Sequence, residues 1–277
     1  MVAKIAKLVH YPVKGCGGIE LPVAELTEAG IRHDRTFMAA APDGTFRSQR
    51  RYPVLAAVRV AVLDDGARLR LRAPGVEELE HEVRFDGPRH AASVFTFDGK
   101  GVHQGAEAAE WFSEVIGEPS VLLRVTPEHE RLTSGVTAGT AAFADGHAVL
   151  VTSEASLDSL NERIASAGGE PVPMDRFRAN IVVSGWAEPH VEDTVRTFAA
   201  GEIELGYAKK CLRCTVPLVD QETGRRAGSE PIRSLAKYRR VPAGKVAFGM
   251  KAAVTRPGRL AVGDEVAVRT WETEPPE

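Results

Sequence analysis

Residues 54–75, VLAAVRVAVLDDGARLRLRAPG, hold the pattern on which the fold reading turns. An apolar run ends at Asp64-Asp65-Gly66, and the strict alternation Arg68-Leu69-Arg70-Leu71-Arg72 follows. Successive strand side chains point to opposite faces, so this stretch reads as a hairpin with one wet face. Upstream, KIAKLVHYPV (4–13) is short and apolar-rich. Downstream, EHEVRF (80–85) and ASVFTFDGKGVHQG (92–105) continue the strand pattern with glycines between.

The first helix expected is AEAAEWFSEVIG (106–117), where Ala108, Trp111, Phe112, Val115 and Ile116 share one face and Gly117 with Pro119 stops it. SVLLRV (120–125) reads as a strand and RLTSGVTAGTAAFADG (131–146) as a loop. HAVLVTSEASLDSLNERIASAGG (147–169) reads as a strand entering a helix capped by Thr152 or Ser153, with Leu157, Leu160 and Ile164 buried. FRANIVVSG (177–185) gives one more strand and GEIELGYAKKCLRCTVPLVD (201–220) two. SEPIRSLAKYRR (229–240) reads as a short helix capped by Ser229, and GRLAVGDEVAVRT (258–270) as two strands. Many short strands with few helices predict a mostly β chain with helical additions, built as β-barrels. A break falls between 118 and 130, and ETEPPE (272–277) reads as a frayed tail.

Composition narrows the function. The chain has 277 residues, 43% hydrophobic and 26% charged, enough to bury a substantial core. A net charge of -3 argues against a general nucleic-acid or membrane-surface binder. No stretch reads as a signal peptide or a membrane span, and three cysteines are too few for a disulfide framework, so a cytoplasmic setting is expected.

Two of those cysteines form a C-x-x-C in KKCLRC (209–214). A structural zinc site wants four ligands, and Cys16 is remote and solitary. A redox dithiol usually sits where a strand meets a helix, whereas CTVPLVD (214–220) reads as strand. Two half-buried cysteines without chemistry are a further reading. Lys209, Lys210 and Arg213 flank the pair, and nearby cations favour thiolate over thiol. Lys14, Arg35, Arg50, Arg51, Arg176 and Arg178 also sit in short segments that read as strand ends; if they converge, they form an anion pocket beside a thiolate.

Taken in order, YPVKGCGGI, DRTFM, SQRRYPVLA, VTSEASLDSLN, DRFRANIVVSG, CLRCTVPLVDQETG and EPIRSLAKYR resemble a MOSC-domain protein with its N-terminal MOSC β-barrel domain. The likeness extends to bacterial homologues of the mitochondrial amidoxime reducing component. The resemblance implies an N-terminal β-barrel-like domain (1–120) packed on a MOSC β-barrel (121–271), and it implies the molybdenum cofactor. Cys214 would be the molybdenum ligand and Cys211 its neighbour. Lys14, Arg35, Arg178 and Arg213 match the family's basic positions, with Gly15, Thr152, Ser153, Asn180 and Leu212 completing the cofactor-binding set. Asp34 would orient Arg35, and Cys16 would fill core. Gly15 stands where relatives often carry Ser, Ala179 replaces a common Pro, and Lys251 stands where reductase relatives have an aromatic.

The implied activity is reduction of amidoximes, hydroxylamines or N-oxides by oxygen-atom transfer to Mo(IV). Electrons would come from a separate ferredoxin, flavoprotein or haem protein, since no haem, flavin or iron–sulfur cluster is expected here. Proton delivery is open between water and His10 or His33. A cofactor or sulfur carrier without turnover is the alternative, and a redox-sensing dithiol a third reading.

Overall fold

The computed structural model describes residues 2–272. The opening stretch forms a three-stranded meander, Arg59–Leu63, Arg68–Ala73 and Val76–Glu82. Leu69 and Leu71 are fully buried, while Arg68, Arg70 and Arg72 point outward to Asp64, Glu78 and Glu80. Asp64, Asp65 and Gly66 all take positive φ at the turn, a conformation Asp and Gly reach at least cost. The third strand lies earlier than EHEVRF suggested.

Beside it a five-stranded sheet runs in the order Arg89–Val94, Phe97–His103, Val121–Val125, Phe37–Ala40, Val13–Lys14. Helix Ala106–Ile116 packs between them and buries all five residues of the expected face. Gly117 takes the left-handed conformation that ends it, and Trp111 Nε1 donates to Glu77 O at 2.7 Å.

The second half is an eight-stranded sheet, in order Val266–Trp271, Val195–Ala200, Ile203–Arg213, Val246–Arg256, Val149–Ser153, Ile181–Ser184, Lys4–His10, Ile19–Leu21. Val149–Ser153 and Ile181–Ser184 are parallel, joined by the crossover helix Glu154–Ser166. The chain is thus mostly β with helical additions.

The two halves are laced together. The first strand pairs with Ile181–Ser184, and Gly258–Ala261 pairs with Val23–Thr27. A cut at 120/121 falls at the head of Val121–Val125, which pairs with Phe37–Ala40 and so belongs to the sheet of the first half. Glu272 donates its N–H to Thr194 O, and residues 273–277 of the expected tail lie outside the described residues.

Three local expectations need correction. The 201–220 stretch holds one long strand, and CTVPLVD is not strand: Val216–Leu218 is a 3-10 turn, because Pro217 has no N–H to give a ladder. Ser229 does not cap the third helix, Ile232–Tyr238; Pro231 holds the cap position, and the Glu230 carboxylate accepts from Ser234 N at 3.0 Å instead. The loop 131–146 contains a small ladder, Leu132–Thr133 against Gly139–Thr140.

Candidate functional site

A cavity opens between the two halves, and most of the expected site residues line it: Lys14, Gly15, Arg35, Arg178, Asn180, Leu212, Arg213 and Cys214. They arrive from four strand ends. Lys14 ends the short strand Val13–Lys14, Arg35 precedes Phe37–Ala40, Arg178 and Asn180 lead into Ile181–Ser184, and Cys214 follows directly on Ile203–Arg213.

The two cysteines are in different surroundings. Cys211 is buried, and its Sγ accepts from Arg213 Nη1 at 2.9 Å. Cys214 is exposed, and its Sγ meets only the Val216 N–H at 3.5 Å. Arg213 is held further by Phe177 O at 2.8 Å, with its Nε buried and unpartnered. Among the described residues no three His, Cys, Asp or Glu side chains converge as a metal cage. Among the described residues, one exposed cysteine sulfur is what the chain offers a soft metal.

Behind the thiol stands a rigid cationic wall. Arg35 Nη1 donates to Asp34 Oδ2 at 2.6 Å and to Asn180 Oδ1 at 2.9 Å. Tyr11 lies between two guanidiniums, its ring centroid 4.2 Å from both Arg35 and Arg178. Burial, against those cations, pushes the Tyr11 phenol up to about 12. Arg35 and Arg178 both take positive φ, a backbone choice costly for non-glycine residues and common at ligand sites. Arg178 Nη1 donates to Gln221 Oε1 at 3.0 Å, Gln221 and Gln49 exchange bonds at 3.1 Å, and Gln49 Nε2 reaches Gly15 O at 2.6 Å. This chain of bonds ties both halves across the cavity.

Asn180 is saturated. Its amide N donates to Val9 O and Asp34 Oδ1, and its amide O accepts from Arg35 and from Leu150 N. It therefore positions the wall. Asp34 orients Arg35 as expected and also accepts from Tyr11 N at 2.8 Å.

Thr152 and Ser153 are not on the cavity. Both are fully buried: Thr152 Oγ1 donates to Met174 Sδ, and Ser153 caps its helix by accepting from Ser156 N. Ser153 and Ser156 together donate to the buried Glu192 carboxylate, which burial holds above its usual range. Both hydroxyls face the protein interior, and neither residue lines the cavity where the sequence reading set them. Cys16 packs in the core, its thiol pushed up to about 12 by burial. His10 and His33 line a different recess.

The residues that sequence reasoning missed lie just before the strand Val149–Ser153. Asp145 pairs with Lys14, and its carbonyl accepts from Lys251 Nζ at 2.9 Å. Burial pushes the Asp145 carboxyl up, but the Lys14 ammonium, then Lys251 and Arg35, hold it well below the usual carboxylate range. His147 also lines the cavity; it is buried, and neither ring nitrogen has a partner among the described residues. Burial, then the Lys209 and Lys251 charges, push it down to about 4, so it is neutral at neutral pH. The only sequence signal was the polar FADGH in a loop.

The MOSC N-terminal beta barrel domain model matches residues 2–119, and the MOSC domain model matches 138–267. Mitochondrial amidoxime reducing component 2 of Bos taurus is 31% identical, over 96% of this chain and 83% of that protein. Mitochondrial amidoxime-reducing component 1 of Homo sapiens is 28% identical, over 96% and 82%. Molybdenum cofactor sulfurase of Oryza sativa is 28% identical, over 89% of this chain but 32% of that protein. A crystal structure of the YUAD protein from Bacillus subtilis covers 96% of this chain and 94% of that one, at 13% identity and TM-score 0.42. The two domain models and the relatives at about 30% identity define a MOSC-domain protein. The chain belongs to the family of the mitochondrial amidoxime reducing components.

Proposed function

We propose that the chain binds the molybdenum cofactor in this cavity and reduces N-hydroxylated compounds such as amidoximes. The observation that carries the reading is the convergence of Lys14, Arg35, Arg178 and Arg213 on the cavity that holds the exposed Cys214. The donor set fits such a group. A soft sulfur ligand with no side-chain partner among the described residues suits a thiophilic metal, and a wall of guanidiniums suits a phosphate and a pterin edge. The unpartnered nitrogens of His147 and Arg213 are hydrogen-bonding capacity that a polar occupant would satisfy.

When bound, the cofactor supplies two-electron oxygen-atom transfer at an N–O bond. The protein's part is positional and electrostatic. Cys214 holds the metal. Arg178, fixed by Gln221 and Tyr11, and Arg35, fixed by Asp34 and Asn180, present charge without reorganising. Neutral His147 offers one N–H donor and one acceptor inside the cavity. Lys251 is tethered to Asp145 O, so the cavity keeps a cation there. A separate donor protein returns the electrons.

The test is reduction of benzamidoxime to benzamidine by cofactor-loaded protein with a chemical reductant, set against apo protein and Cys214→Ala. Turnover is expected only in the loaded wild type. The likeness to a molybdenum cofactor sulfurase and the open Cys214 thiol favour one rival, a cofactor or sulfur carrier. That rival predicts a loaded protein without turnover and a persulfide on Cys214, seen by mass spectrometry.

A further inference from the structure

We propose that the basic patch made by Arg50, which lines the cavity, and by Arg51 and Arg226 beside it is a docking surface for a small, acidic, one- or two-electron carrier protein. The inference rests on the reductase reading and adds where the donor binds and what charge it carries.

Three observations carry it. First, the patch gathers exposed guanidiniums with little to neutralise them. Arg226 Nη2 donates to the backbone O of Arg50 at 2.7 Å, so the two segments meet. Arg50 bonds otherwise only to the Ser48 hydroxyl, and neither Arg50 nor Arg226 has an ion-pair partner among the described residues. Arg51 pairs with Glu118, but Glu118 is shared with the buried Arg47, so one carboxylate faces two guanidiniums. Arg225 adds a further exposed cation in the adjoining position; the neighbouring turn carries two opposing charges, Glu222 and Asp220, of which Asp220 faces the Arg176 guanidinium at 3.6 Å. The rest of the chain is acidic on balance, at -3 overall, so the patch is a local reversal of sign.

Second, the patch has an exposed apolar neighbour. Phe95 is 52% exposed and lines the same cavity as Arg50, as does Leu212, 44% exposed. The Arg50 guanidinium stands 5.4 Å from the Phe95 centroid. Exposed apolar side chains ringed by charge mark interaction sites more often than stray surface residues.

Third, the patch sits where electrons must enter. Arg50, Phe95, Leu212 and Cys214 line one cavity. Each turnover breaks one N–O bond and takes up two electrons and two protons. The nitrogen exchanges its hydroxyl for a hydrogen and is reduced, and the oxygen leaves as water. The electrons come from the reduced carrier, which is oxidised, and the protons from solvent; a one-electron carrier must dock twice. Such encounters use small interfaces and electrostatic steering, which an acidic carrier face against this basic patch provides. A nucleic acid would need a longer basic track than these few side chains make.

Binding is read first on the apo chain, which keeps the test apart from the chemistry. The probes are an acidic plant-type two-iron ferredoxin and an acidic flavodoxin, with basic cytochrome c as control, titrated by calorimetry at low and at physiological salt. Wild type is expected to bind at least one acidic carrier, with affinity falling about tenfold or more over that salt range, and not to bind cytochrome c. R51E/R226E is expected to weaken binding about tenfold at low salt and R51Q/R226Q about threefold, with unchanged thermal unfolding. Neither Arg51 nor Arg226 itself lines the cavity, and Arg226 meets Arg50 only at its backbone oxygen, so amidoxime turnover driven by a neutral reducing dye is expected to stay at the wild-type level. Equal carrier binding by wild type and R51E/R226E, or no binding of either acidic carrier, overturns the docking surface. Salt-sensitive binding of a DNA oligonucleotide that the carriers cannot displace overturns it in favour of nucleic acid. Intact docking with no dye-driven turnover overturns the reductase reading instead.

Discussion

Asn180 shows how the cavity wall is held. Its amide satisfies Val9 O, Asp34, Arg35 and Leu150 N at once, and it is 1% exposed. Removing it strands several buried polar groups, so Asn180→Ala is expected to cost about 2–4 kcal/mol in denaturant unfolding. Ser153 is the contrasting case. Ser153→Ala removes a helix cap and one donor to the buried Glu192. A loss of about 1–2 kcal/mol is expected, with cofactor content unchanged. Loss of cofactor from Ser153→Ala would return that hydroxyl to the site. Lys14, Arg35, Arg178, Arg213 and Cys214 were legible as a set because their motifs stand in family order. That Thr152 and Ser153 turn inward, away from the cavity, was not legible, because a hydroxyl before a helix looks the same in sequence whether it caps the helix or meets a ligand. Asp145 and His147 were missed because nothing local marks a loop residue that folds over a cavity.

At the scale of elements, the alternation in 68–72 was decisive because strand geometry converts it directly into two faces. Leu69→Ala is expected to cost about 2–4 kcal/mol, since it opens a cavity in the core of the first half. Arg70→Ala, on the wet face against Glu80, should stay within about 1 kcal/mol. Similar losses for the two would mean that the hairpin faces are misassigned. Helix Ala106–Ile116 was readable for the same reason, its stripe being long and uninterrupted. The stretch after Cys214 was not, because CTVPLVD has strand composition and only Pro217 signals the turn. The lacing of the halves could not be read from local pattern at all. Pairing Lys4–His10 with Ile181–Ser184 is decided by packing across the whole chain.

For the molecule as a whole, burial and then neighbouring cations hold both His147 and His190 down to about 4, against 6.5 for a free histidine. The unfolded chain therefore takes up protons that the folded one refuses between those values. The stability these two neutral imidazoles contribute is complete above pH 6.5 and is lost as the pH drops toward 4. His147→Gln should flatten that fall in urea titrations across the window, and an unchanged slope would mean that His147 does not resist protonation in the fold. On the proposed function, Cys214 would be the one protein ligand of a molybdenum centre held by the cationic wall. The most direct measurement is molybdenum per chain, by mass spectrometry, for wild type, Cys214→Ala and Cys211→Ala purified anaerobically from a host that makes the cofactor. Near-stoichiometric metal in wild type, its loss from Cys214→Ala and its retention in Cys211→Ala is the predicted result. Equal metal in wild type and Cys214→Ala, or none in wild type, would contradict it.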